Sequence, residues 1–515
     1  MAIGLRLPRG LAALGTALLA ATAFVPLTAS DAAAASPICL SGTLQYDYQS
    51  AEAGTNKPTM TKPVRNADIQ LWGAEKATDT SHQLTADYRT TGTDGSFNLC
   101  YTPTTTTSMS TMWVRFRTES VQYWKVSDTT GTPYTMDSTA QNNLAASTSL
   151  GTLKPTAATS RAWHAFDTVY LLYANRNNPT TACWSSHEAS DSCTELNIRW
   201  TANSTDGTYY DLSNTVHLAA ADPDSEHTVL HESGHFLMHR LYNGSFPAVT
   251  NCSPHYVQLV SSGSCAWTEG FADSTAAYLL GDYRYVWPDG SSYPFTYTTG
   301  WNTGDQVQGN VDGSLLDLWN HVDGGWNGTI AVLTSHTPNT FADYFKTDRP
   351  AGNLSTTGSA LTSLAAHTID YGPTVVGDNQ YHALTNGGGL ALEHAGQCAA
   401  TTNVVADLNT YDSTHASERW KFDANGDGTA RIYDSCPTPL TLTAPTGAGA
   451  QVTLQAFNSA SQYQKWQVTQ NASGTFTITN PATGYVLDSA AVSAGAAVTV
   501  NPSSSANTQD WATLA

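Results

Sequence analysis

The sequence predicts a multidomain chain: an all-β sandwich, then an α+β domain, then a C-terminal β-trefoil. Three observations lead there. The chain has 515 residues, enough for about three ordinary domains. Its pattern changes near residue 153, from short alternating runs to a mixture of strand-like runs and helical periodicity. After residue 375 it changes again, to an internal repeat. Trp420, Trp466 and Trp511 mark that repeat, and three units of about 45 residues suggest a closed trefoil rather than an open solenoid.

Composition narrows the function. A hydrophobic fraction of 40% and an aromatic fraction of 10% supply real cores. Only 12% of residues are charged, so Ser, Thr, Asn and Gly must carry much of the surface polarity. With 22 Lys and Arg against 42 Asp and Glu, the formal charge is −20. A chain this acidic has no basic stripe with which to displace counterions, which argues against a nucleic-acid partner.

Residues 1–35 read as a secretory signal peptide. Arg6 and Arg9 precede a short apolar run from Leu11 to Val25, and Ala33-Ala34-Ala35 offers small residues for cleavage. The run is short for a membrane span of ~20 residues, and no later segment is longer. The expected location is extracellular, with no membrane partner. Eight cysteines, an even number, then suggest disulfides. Their positions suggest the local pairs Cys39 with Cys100, Cys183 with Cys193, Cys252 with Cys265, and Cys398 with Cys436, although spacing alone does not fix connectivity.

Residues 36–152 form the all-β block. Gly42–Tyr46 and Ile69–Trp72 are strand-like, and Trp113-Val114-Arg115-Phe116-Arg117 alternates by side. Asp94-Gly95 marks a turn entering a further strand. The run Lys62-Pro63-Val64-Arg65-Asn66-Ala67, followed by Asp94-Gly95-Ser96-Phe97, resembles transthyretin-like or carboxypeptidase-regulatory-like sandwich modules. No catalytic constellation falls here, and the block reads as a propeptide, a substrate-docking domain or a spacer.

Residues 153–375 form the mixed block. Trp163, Phe166, Val169 and Tyr170 lie near helical spacing. Asn197–Trp200 and Thr215–Leu218 read as strands, and helices are expected near 223–242, 267–281 and 312–322. Asp222 and Pro223 look like the cap and first residue of the first of these.

That helix carries His231-Glu232-Ser233-Gly234-His235. Two histidines four apart lie one turn apart on one helix face, where both imidazoles can bind one zinc ion. Glu232 flanks that face and can take a proton from water. A third ligand is needed. Met238 and Leu241 occupy the positions where a metzincin would have Gly and His. His239 lies another ~6 Å along the axis, too far to share the ion.

Trp267-Thr268-Glu269-Gly270-Phe271-Ala272-Asp273 supplies the alternative, with two carboxylates four apart on one face. HExxH followed by this segment resembles the gluzincin pattern of thermolysin-like peptidases. The resemblance implies Glu269 as third ligand, Asp273 as the acceptor that fixes a zinc-binding imidazole, His231 by position, and Glu232 as general base. It also implies one catalytic Zn²⁺ per chain. Thirty-three residues separate His235 from Glu269, more than in thermolysin, and the spacer contains Cys252 and Cys265. Thermolysin-like enzymes stabilise the oxyanion with Tyr and His; His321 and Tyr278 are the candidates here. The strand Thr215–Ala219 is expected at the cleft edge, where an extended peptide can pair. No Gly-x-Met-Glu-Asn exopeptidase motif is present, which favours an endopeptidase.

Residues 376–515 contain the repeats. Gln464-Lys465-Trp466 and Gln509-Asp510-Trp511 resemble the Gln-x-Trp endings of ricin-B-type lectin repeats; the first repeat departs, with Glu418-Arg419-Trp420. The resemblance implies carbohydrate binding through Asp488, Asn501 and Gln509 in the third repeat and Glu393, Asn409 and Tyr411 in the first. The second has Thr443 where an acid is expected. Asp423 to Asp434 resembles a calcium loop but sits between strand-like runs, so a hairpin is favoured, and structural Ca²⁺ has no further support. The expected function is a secreted zinc endopeptidase acting on polypeptide or glycoprotein and held on glycans by the trefoil. The alternative is a carbohydrate-binding adhesin with a vestigial zinc site.

Overall fold

A computed structural model describes residues 36–86, 88–489 and 493–514. The expected signal peptide, 1–35, lies outside the described residues. The chain is multidomain and rich in β-structure. Its helices concentrate between residues 160 and 366.

The first block builds two sheets. Ile38–Gln49 pairs antiparallel with Ser96–Tyr101 and Thr59–Pro63, and parallel with Thr148–Leu153. In the other sheet Asp68–Ala74 lies antiparallel to Met109–Arg117. The expected alternation holds in the latter strand: Met112, Val114 and Phe116 are buried, while Trp113, Arg115 and Arg117 are not. Phe116 meets Phe97 of the first sheet edge-on, 5.0 Å between centroids. Cys39 and Cys100 face each other across the first sheet and are bonded.

The strand Trp124–Ser127 leaves this block. It pairs parallel with Leu196–Arg199, which in turn pairs with Thr215–His217. Its Trp124 stacks on Phe166 of helix α1 (Ser160–Asn175). One hydrophobic core therefore runs from Ile38 to Ile369, across the junction near residue 152.

Helix α2 (Glu226–Leu241) begins later than the sequence suggests. Asp222 and Pro223 belong to a separate 3₁₀ turn, Asp222–Asp224. Asp222 cannot cap α2, because its carboxylate takes the Ala219 amide and the Thr208 hydroxyl. Ser225 caps instead, accepting from the Thr228 amide at 3.0 Å. Helix α3 (Gly263–Leu280) is capped by Ser262 and closed by left-handed Gly281. Helix α4 (Gln308–Asp317) packs on α3 and widens into a π turn over Leu318–Val322.

The last block has its own core, from Val375 to Trp511. It is a β-trefoil, and its repeat has a physical cause. Trp420, Trp466 and Trp511 are fully buried, and their indole N–H groups donate to Leu392, Leu442 and Leu487 carbonyls at 2.8, 2.9 and 3.0 Å. Each follows a short 3₁₀ turn ending at Glu418, Gln464 or Gln509. The glutamine at that turn accepts a backbone amide: Asn458 for Gln464 at 2.7 Å, Ser504 for Gln509 at 2.8 Å. Glu418 serves equally, accepting the Asp412 amide at 2.6 Å, so the first repeat tolerates the departure. The calcium-like segment is a hairpin, Trp420–Ala424 against Ala430–Asp434, and buried Asp434 is occupied by His394.

All four expected disulfides are present, and no described cysteine is free. Among the described residues no helix is long and apolar enough to cross a membrane.

Candidate metal centre

Helices α2 and α3 pack closely, and the sequence allows it. A Cβ on Gly234 would lie 3.1 Å from the Ala272 Cα, so hydrogen at that position lets the backbones approach. The neighbouring Ser233 hydroxyl turns back onto the Val229 carbonyl at 2.7 Å. The approach brings His231 and His235 of one helix to Glu269 of the other. Both imidazole Nε2 atoms face Glu269 Oε2, at 3.2 and 3.5 Å, and one ligand atom from each residue lies within 4.8 Å of the others. Two imidazole nitrogens and one carboxylate oxygen, with solvent on the remaining side, are a donor set that fits zinc. Another such group, His394 with Cys398 and Cys436, has both sulfurs committed to a disulfide.

Asp273 lies four residues beyond Glu269 and is fully buried. Its Oδ1 is 2.6 Å from His231 Nδ1. A carboxylate only accepts, so that nitrogen carries the proton and Nε2 keeps its lone pair for the site. The Gln308 amide donates to Asp273 Oδ2, and its Oε1 accepts from His255 Nδ1 at 2.8 Å. Burial opposes charge on His231, yet Asp273 and Glu269 outweigh it and hold its pKa well above the ordinary value, so a metal would have to displace a proton to take Nε2. Burial likewise opposes charge on Glu269, but His235 and His231 pull its pKa well below the usual carboxylate range.

Glu232 is buried beside this group. Burial raises its pKa; the two histidines oppose the rise, while Glu269 and Asp222 add to it. A raised pKa makes the carboxylate a stronger proton acceptor. Asp312 of α4 is fully buried, and neither of its oxygens has a hydrogen-bond partner. Burial, then the charge of Asp273, keeps its pKa well above the ordinary value.

The site opens on a cavity of about 790 Å³ that His231, Glu232, His235 and Glu269 line together. Aromatic side chains surround them: Tyr209, Tyr210, Phe246, Tyr256, Tyr285 and Trp287. Neither expected oxyanion residue lies there. Tyr278 is five positions past Asp273, about 140° around the helix, and packs against Trp319 and Trp326. His321 lies in the π turn, 70% exposed and facing Asp317. Among the polar groups that line the cavity are Tyr285, His255 and Tyr210. Tyr285 lies 5.8 Å from the His231 ring, ring to ring, and burial pushes its pKa up to about 12, so it remains a donor. His255 Nε2 is 3.8 Å from Glu269. All three come from strands or loops, with no periodic signal in the sequence.

The cleft edge also differs from expectation. Thr215–His217 is covered on its outer side by Tyr209–Tyr210, which becomes the free edge. His239, set aside as a ligand, joins that edge to α2. Its Nδ1 meets the Tyr210 hydroxyl at 2.7 Å and its Nε2 the Gly244 carbonyl at 2.9 Å.

In the trefoil, Asn501 and Gln509 donate to Asp488 Oδ2 at 3.1 and 3.0 Å, so the three predicted residues of the third repeat converge. In the first repeat Glu393 accepts from Ser417, and Asn409 turns to Glu418; Tyr411 is half-buried. In the second, the Thr443 hydroxyl accepts from Gln464, in the role Asp488 plays in the third.

Comparison with known families divides the chain in the same order. Residues 39–162 match the mycolysin middle domain, 177–368 the mycolysin C-terminal domain, and 378–511 the ricin-type beta-trefoil lectin domain. No curated protein matches the chain. Among solved structures, the designed three-fold symmetric protein ThreeFoil is 22% identical, covering 26% of this chain and 98% of its own, with a TM-score of 0.24. A Macrolepiota procera ricin B-like lectin in complex with lactose is 18% identical over 27% of this chain and 98% of its own, TM-score 0.23. A mosquitocidal holotoxin is 17% identical over 27% of this chain, which spans only 17% of the toxin's length, TM-score 0.24.

Proposed function

We propose that the chain is a secreted zinc-dependent endopeptidase that a C-terminal lectin domain holds on glycans. The observation that carries this reading is the meeting of His231, His235 and Glu269 on the floor of an open cavity, with Glu232 beside them and Asp273 behind His231. The two mycolysin domain matches support it, since mycolysin is a zinc metallopeptidase family.

His231, His235 and Glu269 would hold the metal. Bound there, zinc supplies polarisation of the scissile carbonyl and acidification of the attacking water. Glu232 accepts the water's proton and returns it to the leaving amine; its raised pKa suits both halves of that exchange. Tyr285 would donate to the oxyanion; His255, whose Nδ1 proton is bound to Gln308, would do so through Nε2 only as an imidazolium. The free edge Tyr209–Tyr210 offers backbone pairing to an extended peptide. Asp488, Asn501 and Gln509 hold the sugar, and the lectin domain match supports that role. The four disulfides suit an oxidising, extracellular setting.

The test is hydrolysis of an unfolded generic protein by the purified chain beside Glu232→Gln, with zinc content measured for both. Cleavage by the wild type alone, with zinc retained by both, is the expected result. Equal cleavage by both sinks the role of Glu232. The convergent Asp488 group favours one second reading, a glycan-binding adhesin, which gains if neither protein cleaves and both bind glycan.

A further inference from the structure

We infer that the loop 50–57 of the N-terminal block braces one wall of the cleft, with Lys57 as its positioning residue. The inference rests on the peptidase reading for its catalytic consequence, though not for its structural one. The wall is the hairpin Arg284–Val286 and Ser292–Pro294, whose Tyr285, Trp287, Pro288 and Tyr293 line the cavity.

The loop touches both the start of α2 and this hairpin. Toward α2, the Ala51 amide donates to the Asp224 carbonyl at 2.9 Å. Glu52 Oε1 then accepts the Glu226 and His227 amides at 2.6 and 3.2 Å. Those are first-turn amides with no partner inside the helix, and a carboxylate there also meets the positive end of the helix dipole. Toward the hairpin, the Arg284 guanidinium donates to the Glu52 carbonyl at 2.8 Å. Gly290, at φ +84°, has its missing Cβ 2.4 Å from the Gly54 carbonyl oxygen, so the hairpin turn sits flush on the loop.

Lys57 closes the arrangement. Its ammonium donates to Asp224 Oδ2 at 2.9 Å and to the Pro288 carbonyl at 3.0 Å. One cation thus links the N-terminal block, the approach to the metal-bearing helix and the cavity wall. These contacts join residues 167 and 231 positions apart. Nothing of the kind is expected of a spacer or a detachable segment.

Lys57 is also a clean probe. Asp224 is nearly fully buried, but Arg161 holds it by two bonds of 2.7 Å, so losing Lys57 does not leave that carboxylate unpaired. The Pro288 carbonyl loses this donor.

The experiment compares the full chain with Lys57→Met and Lys57→Arg. Amide hydrogen exchange is read across the hairpin, and peptidase kinetics are read on a long peptide and on a short one confined to the metal centre. In Lys57→Met we expect faster exchange at the hairpin pair Val286 and Ser292, with α2 unchanged. KM for the long peptide should rise on the order of tenfold, the scale of one charged hydrogen bond, and kcat should fall for both peptides through the loosened Tyr285, while zinc content holds. Lys57→Arg should restore both readouts in large part. Unchanged hairpin exchange in Lys57→Met overturns the brace. So does faster exchange spread equally over α2, or loss of zinc, since either marks general destabilisation. If the hairpin loosens while the wild type cleaves nothing, the brace stands and the peptidase reading falls.

Discussion

Replacing Asp273 with Asn tests how the candidate metal centre is held. The two side chains are nearly the same size, so packing survives and only the hydrogen-bond logic changes. Asp273 accepts twice, from His231 Nδ1 at 2.6 Å and from the Gln308 amide. Asparagine has one acceptor oxygen. If that oxygen keeps His231, the new NH₂ faces the NH₂ of Gln308; if it turns to Gln308, the NH₂ faces the His231 N–H. Gln308 cannot relieve the conflict by flipping, because its own oxygen already accepts from His255. One donor therefore loses its acceptor either way, inside a fully buried site. Supporting groups of this kind are worth roughly ten- to hundredfold in metal affinity. That predicts a loss of about 1.4–2.7 kcal/mol of zinc binding in Asp273→Asn. Chelator competition on the purified chain reads the affinity, and far-UV circular dichroism checks the fold. Zinc affinity within twofold of wild type, with the fold intact, would refute the claim that Asp273 orients a ligand.

The remaining predictions concern other parts of the molecule. Burial pushes the Glu226 pKa up, but His164 and Lys62 outweigh it and bring it to about 2. A depressed carboxylate contributes stability that is present above its unfolded pKa of about 4.3 and is lost as pH falls from there towards 2, on the order of 3 kcal/mol in full. Lys62→Met removes one of the two opposing charges, so the acid-unfolding midpoint should move to higher pH; an unmoved midpoint would show that the pair does not contribute. In the trefoil, Asp488→Ala removes the shared acceptor of Asn501 and Gln509. Retention on immobilised glycan should fall about tenfold or more while hydrolysis of a short peptide is unchanged; retained glycan binding would place the sugar elsewhere.

The legible parts of the molecule were those carried by short spacings. His231 with His235, and Glu269 with Asp273, are i,i+4 pairs that any helix places on one face, so the group could be read before the fold. The 46- and 45-residue tryptophan spacing was legible because each indole makes the same buried bond in each repeat. Local patterns also misled. Asp222-Pro223 has the composition of a helix start, yet a tertiary bond to Thr208 claims the carboxylate and the helix begins past Ser225. Tyr278 and His321 have the residue types that the thermolysin-like resemblance calls for, but helix rotation and a π turn carry them away from the cavity. The residues that do complete the cavity, Tyr285, His255 and Tyr210, reach it through loop and hairpin geometry. Loop 50–57 was illegible for the same reason, since its partners lie more than 150 positions away.

The contact between Gly234 and Ala272 makes the spacing of two helices a dimension of the candidate metal site. The two middle positions of His-Glu-x-x-His are usually written as free. Here the second sets how near one coordinating side chain stands to the others, much as a shim sets the gap between two plates. A methyl group at residue 234 would leave His231, His235 and Glu269 in the sequence and still press on the Ala272 backbone one turn from Glu269. The geometry of this site therefore depends in part on a residue that has no side chain to coordinate with.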